Sequence, residues 1–207
     1  SVISDIKKKG YPNIVVVDDG SSDKTYETVK KNHVFAIKHM INRGQGAALT
    51  TGIDFALEKG ADIIVTYDAD GQFLASEIKS VIAPVVNKEA DITIGSRFLG
   101  TAKDIPLLKK IVLKIGIAVI FFLYGVKTTD SQCGFRAMSR KAAEKITITA
   151  DRMDHAGEIF SEIARNNLKY KDVPVTVIYD DYALEKGQDW SRGFDLGIKV
   201  LFSKFMR

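Results

Sequence analysis

Two acidic loops carry the residues best suited to chemistry. Val17-Asp18-Asp19-Gly20-Ser21-Ser22-Asp23 and Tyr67-Asp68-Ala69-Asp70-Gly71-Gln72 each follow a run rich in β-branched residues, at 14–17 and 63–66. Short apolar runs of this kind read as strands buried on both faces of a parallel sheet, which brings both clusters to its carboxyl edge. Open α/β sheets bind their ligands at that edge. Carboxylates converging there repel one another unless a cation lies between them, and oxygen donors suit a divalent metal carrying phosphate.

Asp68, Asp70 and Gln72 offer three oxygen donors at alternate positions, a set that suits Mg2+ or Mn2+ bridging the two phosphates of a nucleotide diphosphate. An Asp-x-Asp alone is commonly a solvated turn, and its place straight after a buried strand is what points to metal. Asp18 and Asp19 offer acceptors for the base or ribose hydroxyls of a nucleotide, although Gly20-Ser21-Ser22 also fits an ordinary strand-to-helix turn. Asn42-Arg43-Gly44-Gln45-Gly46 sets backbone amides before a helix amino terminus, an arrangement suited to phosphate. With Leu49 where a third glycine would stand, it is a poor dinucleotide fingerprint. Arg97 and Arg136 are the cations expected near an anionic substrate, because guanidinium binds phosphate bidentately and stays charged. Pairing with a neighbouring carboxylate such as Asp130 is the structural alternative for either. His33, His39 and His155 belong to no nucleophile pattern, and Cys133 reads as a small packing residue.

The elements that must position these residues alternate between strand and helix with short connections, the pattern of an α/β layered fold. A helix over 2–9 ends at Gly10, and a strand follows at 13–17. Ser22 or Asp23 caps the next helix, and a strand runs near 34–37. A helix over 46–59 stops at Gly60 before a strand at 62–67. A helix from Ser76 to about 86 leads to a strand at 91–95 that delivers Ser96 and Arg97 to the same edge. After a lysine-rich helix come a loop at 128–134, a short strand at 135–138, a helix capped by Ser139, a helix at 155–166 and a strand at 173–179. Residues 190–207 read as a basic amphipathic helix.

With 207 residues, 45% of them hydrophobic, the chain can bury one full core, so a single α/β domain is expected. The net charge of +4 is polarised, with lysines and arginines gathered at 103–114 and 186–207. That suits anionic ligands or an anionic membrane face, and the interleaved basic and aromatic residues of a nucleic-acid surface are missing. One cysteine excludes an intramolecular disulfide, and no leader pattern is visible, so a reducing cytoplasmic location is expected. The apolar stretch at 115–124 is shorter than the roughly 20 residues that span a bilayer. It is either a core helix or, with Lys109, Lys110 and Lys114 before it, a helix lying in the membrane interface.

Five segments in order now carry a resemblance. Val-Val-Asp-Asp-Gly-Ser-Ser-Asp-Lys-Thr at 16–25, Asn-Arg-Gly-Gln-Gly-Ala-Ala at 42–48, Asp-Ala-Asp-Gly-Gln at 68–72, Gly-Ser-Arg-Phe at 95–98 and Asp-Ser-Gln-Cys-Gly-Phe-Arg at 130–136 resemble family 2 glycosyltransferases. The likeness is strongest to dolichol-phosphate and polyprenyl-phosphate sugar synthases. It implies a GT-A, Rossmann-like fold with a mainly parallel central sheet flanked by helices. It also implies inverting, metal-dependent transfer of a sugar from a nucleotide-diphosphate sugar, of GDP-mannose or UDP-glucose type, to a polyprenyl phosphate at the cytoplasmic face of a membrane. By the resemblance Asp68, Asp70 and Gln72 match the metal and diphosphate motif. Asp18 and Asp19, with Gly20, Ser21, Asn42, Gly44 and Gly46, match nucleotide-binding segments. Asp70, Arg97 and Arg136 are then the catalytic candidates, both arginines meeting the acceptor phosphate.

The chain departs from the family in starting at the helix that normally follows a first apolar strand and its loop. A catalytic domain over 1–180 that lacks this strand, followed by a basic segment over 181–207, is therefore expected, with exposed sheet edges and weakened donor binding. Two other functions fit the same residues: transfer to a saccharide or protein hydroxyl, with Asp130 or Glu158 as base, and nucleotide-sugar binding without turnover.

Overall fold

Strand runs rich in β-branched residues and amphipathic segments alternate along the chain, and the computed structural model, which describes residues 2–103, 105–151 and 155–179, shows the layered result. In chain order the elements are α1 (Val2–Lys8), β1 (Val15–Asp18), α2 (Thr25–Lys30), β2 (Phe35–Lys38), α3 (Gln45–Glu58) and β3 (Ile63–Thr66). A 3-10 turn at Ala75–Glu77 runs into α4 (Ile78–Val86), followed by β4 (Ile92–Lys103), α5 (Leu107–Tyr124), β5 (Arg136–Ser139), α6 (Arg140–Lys145), α7 (His155–Arg165) and β6 (Tyr170–Ile178). The expected helix at 190–207 and the segment over 181–207 lie outside the described residues.

Strand direction brings the site together. β5 runs antiparallel to both its neighbours, with Thr66 opposite Arg136 on one side and Ile94 opposite Arg136 on the other. The carboxyl end of β3 and the stretch of β4 just past Ile94 therefore lie beside the amino end of β5. Asp68, Arg97 and Arg136, far apart in sequence, arrive at one edge for that reason. β6 pairs parallel to β4 and completes the four-stranded order β3-β5-β4-β6. β1 and β2 form a separate parallel pair, and α3 packs across both β1 and β3. Among the described residues β1 and β3 do not pair with each other, and Val15, Val16 and Val17 stay half-buried.

Alternation along the strands sorts the core into two layers. On one face Ile64, Ile92, Ile94 and Met138 pack with Ile53 of α3, Ile120 of α5 and Phe160 and Ile163 of α7. On the other, Ala137, Val173, Val175 and Val177 pack with Phe73, Phe135 and the α4 residues Ile78, Val81 and Val85. Phe160 is fully buried, so truncating it to alanine would cost about 3–5 kcal/mol.

β4 is longer than the strand expected at 91–95, and the reason is local. Its register against β6 shifts between Ser96 and Thr101, where Gly100 lies so close to β6 that an added Cβ would stand 2.2 Å from Val175 O. The irregularity takes the Arg97 amide out of the ladder, and that amide donates to Asp130 Oδ2 at 3.1 Å.

Candidate active site

β3 ends at Thr66, and the chain then turns through the second acidic loop. Asp68 is half-buried, and its Oδ1 accepts from Gln45 Nε2 at 3.0 Å. Burial raises its pKa above the ordinary carboxylate value, the Asp70 charge adds to this, and Arg136, the Gln45 bond and Arg97 oppose it. Asp70 is exposed, and its Oδ1 accepts from the Gln72 amide at 3.0 Å across a tight turn in which Gly71 has φ +83°. Gln72 is half-buried, and its carbonyl accepts from Ile178 N at 3.0 Å, which ties the loop to β6. Among the described residues no three His, Cys, Asp or Glu side chains converge on a metal-sized site. Two mutually repelling carboxylates, Asp68 and Asp70, still fit a hard divalent cation whose remaining ligands are phosphate oxygens and water.

The two arginines differ in their partners. Arg97, 6% exposed, donates from Nε to Asp130 Oδ2 at 2.5 Å and from Nη1 to the Tyr179 hydroxyl. The Asp130 pairing considered from sequence is therefore present, and it leaves Arg97 a fixed cation at the edge. Arg136 is 1% exposed, and its Nε and Nη1 have no hydrogen-bond partner among the described residues. Burial lowers its pKa, while the neighbouring Cys133, Asp68 and Asp130 oppose that loss of charge. Unmet donors on a buried guanidinium are costly, and the oxygens of an anion would satisfy the two found here.

The nucleotide-loop candidates also separate by partner. Asp18 is 3% exposed; its Oδ1 accepts from Ser21 N at 2.9 Å, while its Oδ2 has no hydrogen-bond partner and lies 3.9 Å from Lys38 Nζ. Asp19 is committed to the chain itself, accepting from Arg43 N at 3.0 Å and Gly44 N at 2.6 Å. Gly20, at φ +72°, lies against the segment leading into the 42–46 loop so closely that a Cβ would stand 2.6 Å from Asn42 N. Asn42 Nδ2 donates to Asp19 O at 3.0 Å. Gly44, at φ 116°, precedes α3 in a conformation that side-chain-bearing residues avoid, and Gly46 is buried in the first turn. The candidates thus form one lobe, Asp18 to Ser21 with Asn42 to Gly46, joined through Gln45 to Asp68.

Several residues of the site gave no signal in the sequence. Lys109 at the start of α5 lies 4.4 Å over the Tyr179 ring, and its pKa is lowered by burial and by Arg97 while Asp70 opposes this. Gly134 leaves room for Asp68. The motif Cys133-Gly134-Phe135-Arg136 was the only available pointer to that role. The carboxylates considered as bases are both occupied: Asp130, fully buried, by Arg97, and Glu158 by the amides of Thr149 and Ala150, each at 2.8 Å.

The architecture is that of a GT-A-like glycosyltransferase. It superimposes on glucosyl-3-phosphoglycerate synthase from Mycobacterium tuberculosis, solved with Mn2+, uridine diphosphate and phosphoglyceric acid, at a TM-score of 0.63 and 14% identity over 84% of this chain. The chain covers 62% of that synthase, under two thirds of it. Residues 1–147 match the model of glycosyl transferase family 2, and the chain belongs to that family. It is 41% identical to an uncharacterized protein of Methanocaldococcus jannaschii, over 98% of this chain and 85% of the relative. It is 35% identical to a UDP-N-acetylglucosamine–dolichyl-phosphate N-acetylglucosaminyltransferase of Methanococcus voltae, over 99% of this chain and 90% of the relative.

Proposed function

We propose that this glycosyltransferase moves a sugar, with inversion, from a nucleotide-diphosphate sugar to a polyprenyl or dolichyl phosphate. The observation that carries the proposal is the buried, incompletely bonded guanidinium of Arg136, set beside Asp68 and Asp130 at the sheet edge. Such a cation calls for a phosphate. Asp18, whose buried Oδ2 has no hydrogen-bond partner and faces Lys38 Nζ at 3.9 Å, and the 42–46 loop would receive the nucleotide. Asp68 and Asp70, with Gln72, would hold Mg2+ or Mn2+, which when bound would neutralise charge on the departing diphosphate. Arg136, with Arg97 fixed by Asp130, orients the acceptor phosphate so that its oxygen attacks the anomeric carbon opposite the breaking bond to the diphosphate.

The partners of the two candidate bases support a phosphate acceptor. A hydroxyl acceptor requires a base, and both carboxylates considered for that task are bonded within the chain. A phosphate monoester, with a second pKa of about 6, is already ionised near neutral pH. The name of the Methanococcus voltae relative, which specifies dolichyl phosphate as acceptor, supports the same choice.

A lipid acceptor places the enzyme at a membrane surface, and the cytoplasmic face suits its single, buried, unpaired cysteine. No helix among the described residues is long and apolar enough to cross a membrane. Contact then falls to the exposed apolar side of α5, whose first turn carries Lys109 over the Tyr179 ring of the site.

A transfer assay tests the proposal, with UDP- and GDP-sugars offered in turn to a short polyprenyl phosphate in the presence of Mn2+ or Mg2+. Product with one donor, lost in Asp70→Ala, is expected. Metal-dependent nucleotide binding without product would instead support a binding domain without turnover.

A further inference from the structure

Thr51, His39 and Asp19 form a run of side-chain contacts that the transfer chemistry does not use. β2 stops at Lys38, yet the next amide, His39 N, still donates to Asp18 O at 2.9 Å and holds the imidazole beside the first acidic loop. Its Nδ1 lies 2.7 Å from Asp19 Oδ1, and its Nε2 lies 2.9 Å from Thr51 Oγ1 on α3. A carboxylate only accepts, so Nδ1 carries the proton in this contact. Both side chains are largely shielded, at 11% and 17% exposure, which strengthens a charge-assisted bond. Asp19 in turn accepts from Arg43 N and Gly44 N, and the next residue, Gln45, donates to Asp68 Oδ1.

We propose that His39 is a positioning residue for the donor end of the site. It fixes the Asp19 carboxylate, Asp19 fixes the backbone at 42–44, and that backbone delivers Gln45 to Asp68. His39 itself touches no reacting atom. The identity of what binds rests on the transferase reading above, whereas the clamp stands on these contacts alone.

Three variants separate the clamp from simple packing. His39→Asn keeps a donor near the Nδ1 position, His39→Gln moves it toward the Nε2 position, and His39→Ala removes both. Amide hydrogen exchange at Arg43 and Gly44, measured on the protein without ligand, is expected to accelerate about tenfold or more in the Ala and Gln variants and to stay near wild type in Asn. Calorimetric binding of UDP and of GDP with Mn2+ follows the same order, weakening about tenfold for Ala and Gln. Urea midpoints measured alongside report any general loss of fold. Unchanged exchange in His39→Ala would overturn the clamp, as would equal losses in all three variants tracking lower urea midpoints. Faster exchange with unaltered nucleotide affinity would overturn the link to the donor. A wild-type chain that binds neither nucleotide would sink the transferase reading and the donor half together, with the exchange data still deciding the clamp.

Discussion

Gly134 and Asp68 share one small space: a Cβ built on Gly134 would stand 2.2 Å from Asp68 Oδ2. The glycine cannot easily retreat, because its carbonyl accepts from Thr66 Oγ1 at 2.6 Å. An added methyl group therefore pushes the carboxylate. Gly134→Ala is expected to lower kcat/KM by about 100-fold, the scale of an ångström-sized misplacement, while unfolding stays cooperative. Mn2+ affinity measured on the same variant should fall with it. Full metal affinity in that variant would show that Asp68 has not moved or is no ligand.

Asp68 and Asp70 were legible in the sequence because a run of β-branched residues followed at once by acidic ones says both where the chain is buried and where it surfaces. Arg97 was legible as a cation at the edge, and Asp130 was named as a pairing alternative for either arginine, though the sequence did not say which of the two it would take. The role of Gly134 was not, because a glycine's use as empty space depends on what a distant segment brings against it. His39 was hidden likewise: nothing local marks an imidazole that meets a carboxylate on one loop and a hydroxyl on a helix. α5 was ambiguous between core and interface for a different reason. Its sequence is apolar on nearly every face, and only packing shows that Leu113 and Ile120 are its buried residues. The length of β4 escaped because an irregularity, not a change in composition, carries it past Ser96.

Asp19 should make the fold sensitive to acid. Burial raises its pKa, but the bonds from Arg43 N, His39 and Gly44 N outweigh that and leave it below its ordinary 3.8. A carboxylate depressed in the folded state contributes stability above its unfolded pKa, and the contribution disappears as pH falls through the folded value. Wild type is therefore expected to exceed Asp19→Asn in stability above about pH 4, by a margin that closes at lower pH. Urea titrations at several pH values measure this. A margin independent of pH down to the lowest values would mean that the ionised carboxylate is not what holds the loop.

Arg97 and Asp130 are buried together, so removing one charge strands the other. Asp130→Asn is expected to destabilise the protein by about 3–5 kcal/mol, seen as a lower urea midpoint. Glu158→Gln acts on the 149–150 backbone and is expected to leave kcat within about tenfold, whereas loss of a general base costs about 10²–10⁴-fold. A drop on that larger scale for Glu158→Gln, with a flattened limb in the pH–rate profile, would favour a hydroxyl acceptor over a phosphate.

α5 carries Leu107, Ile111, Ile115 and Phe122 along one exposed side, at 73%, 47%, 49% and 81% exposure. Their spacing of four, four and seven residues keeps them on one helical face. Large apolar side chains so placed gain about 1.5–3 kcal/mol each when fully buried, and an interface buries part of each, so two of them are worth a tenfold change in partitioning or more. Lys110 and Lys114 are exposed beside them and match the charge of anionic headgroups. The protein is therefore expected to sediment with anionic vesicles, less so with neutral ones, and to be released in part by salt. Replacing Ile115 and Phe122 together by glutamate should abolish sedimentation and leave the urea midpoint unchanged, because neither side chain supports the core. Transfer to a short, water-soluble prenyl phosphate should survive the double substitution, while transfer to a long-chain acceptor held in vesicles should fall. If both acceptors suffered alike, α5 would be serving the chemistry directly rather than bringing the site to the bilayer.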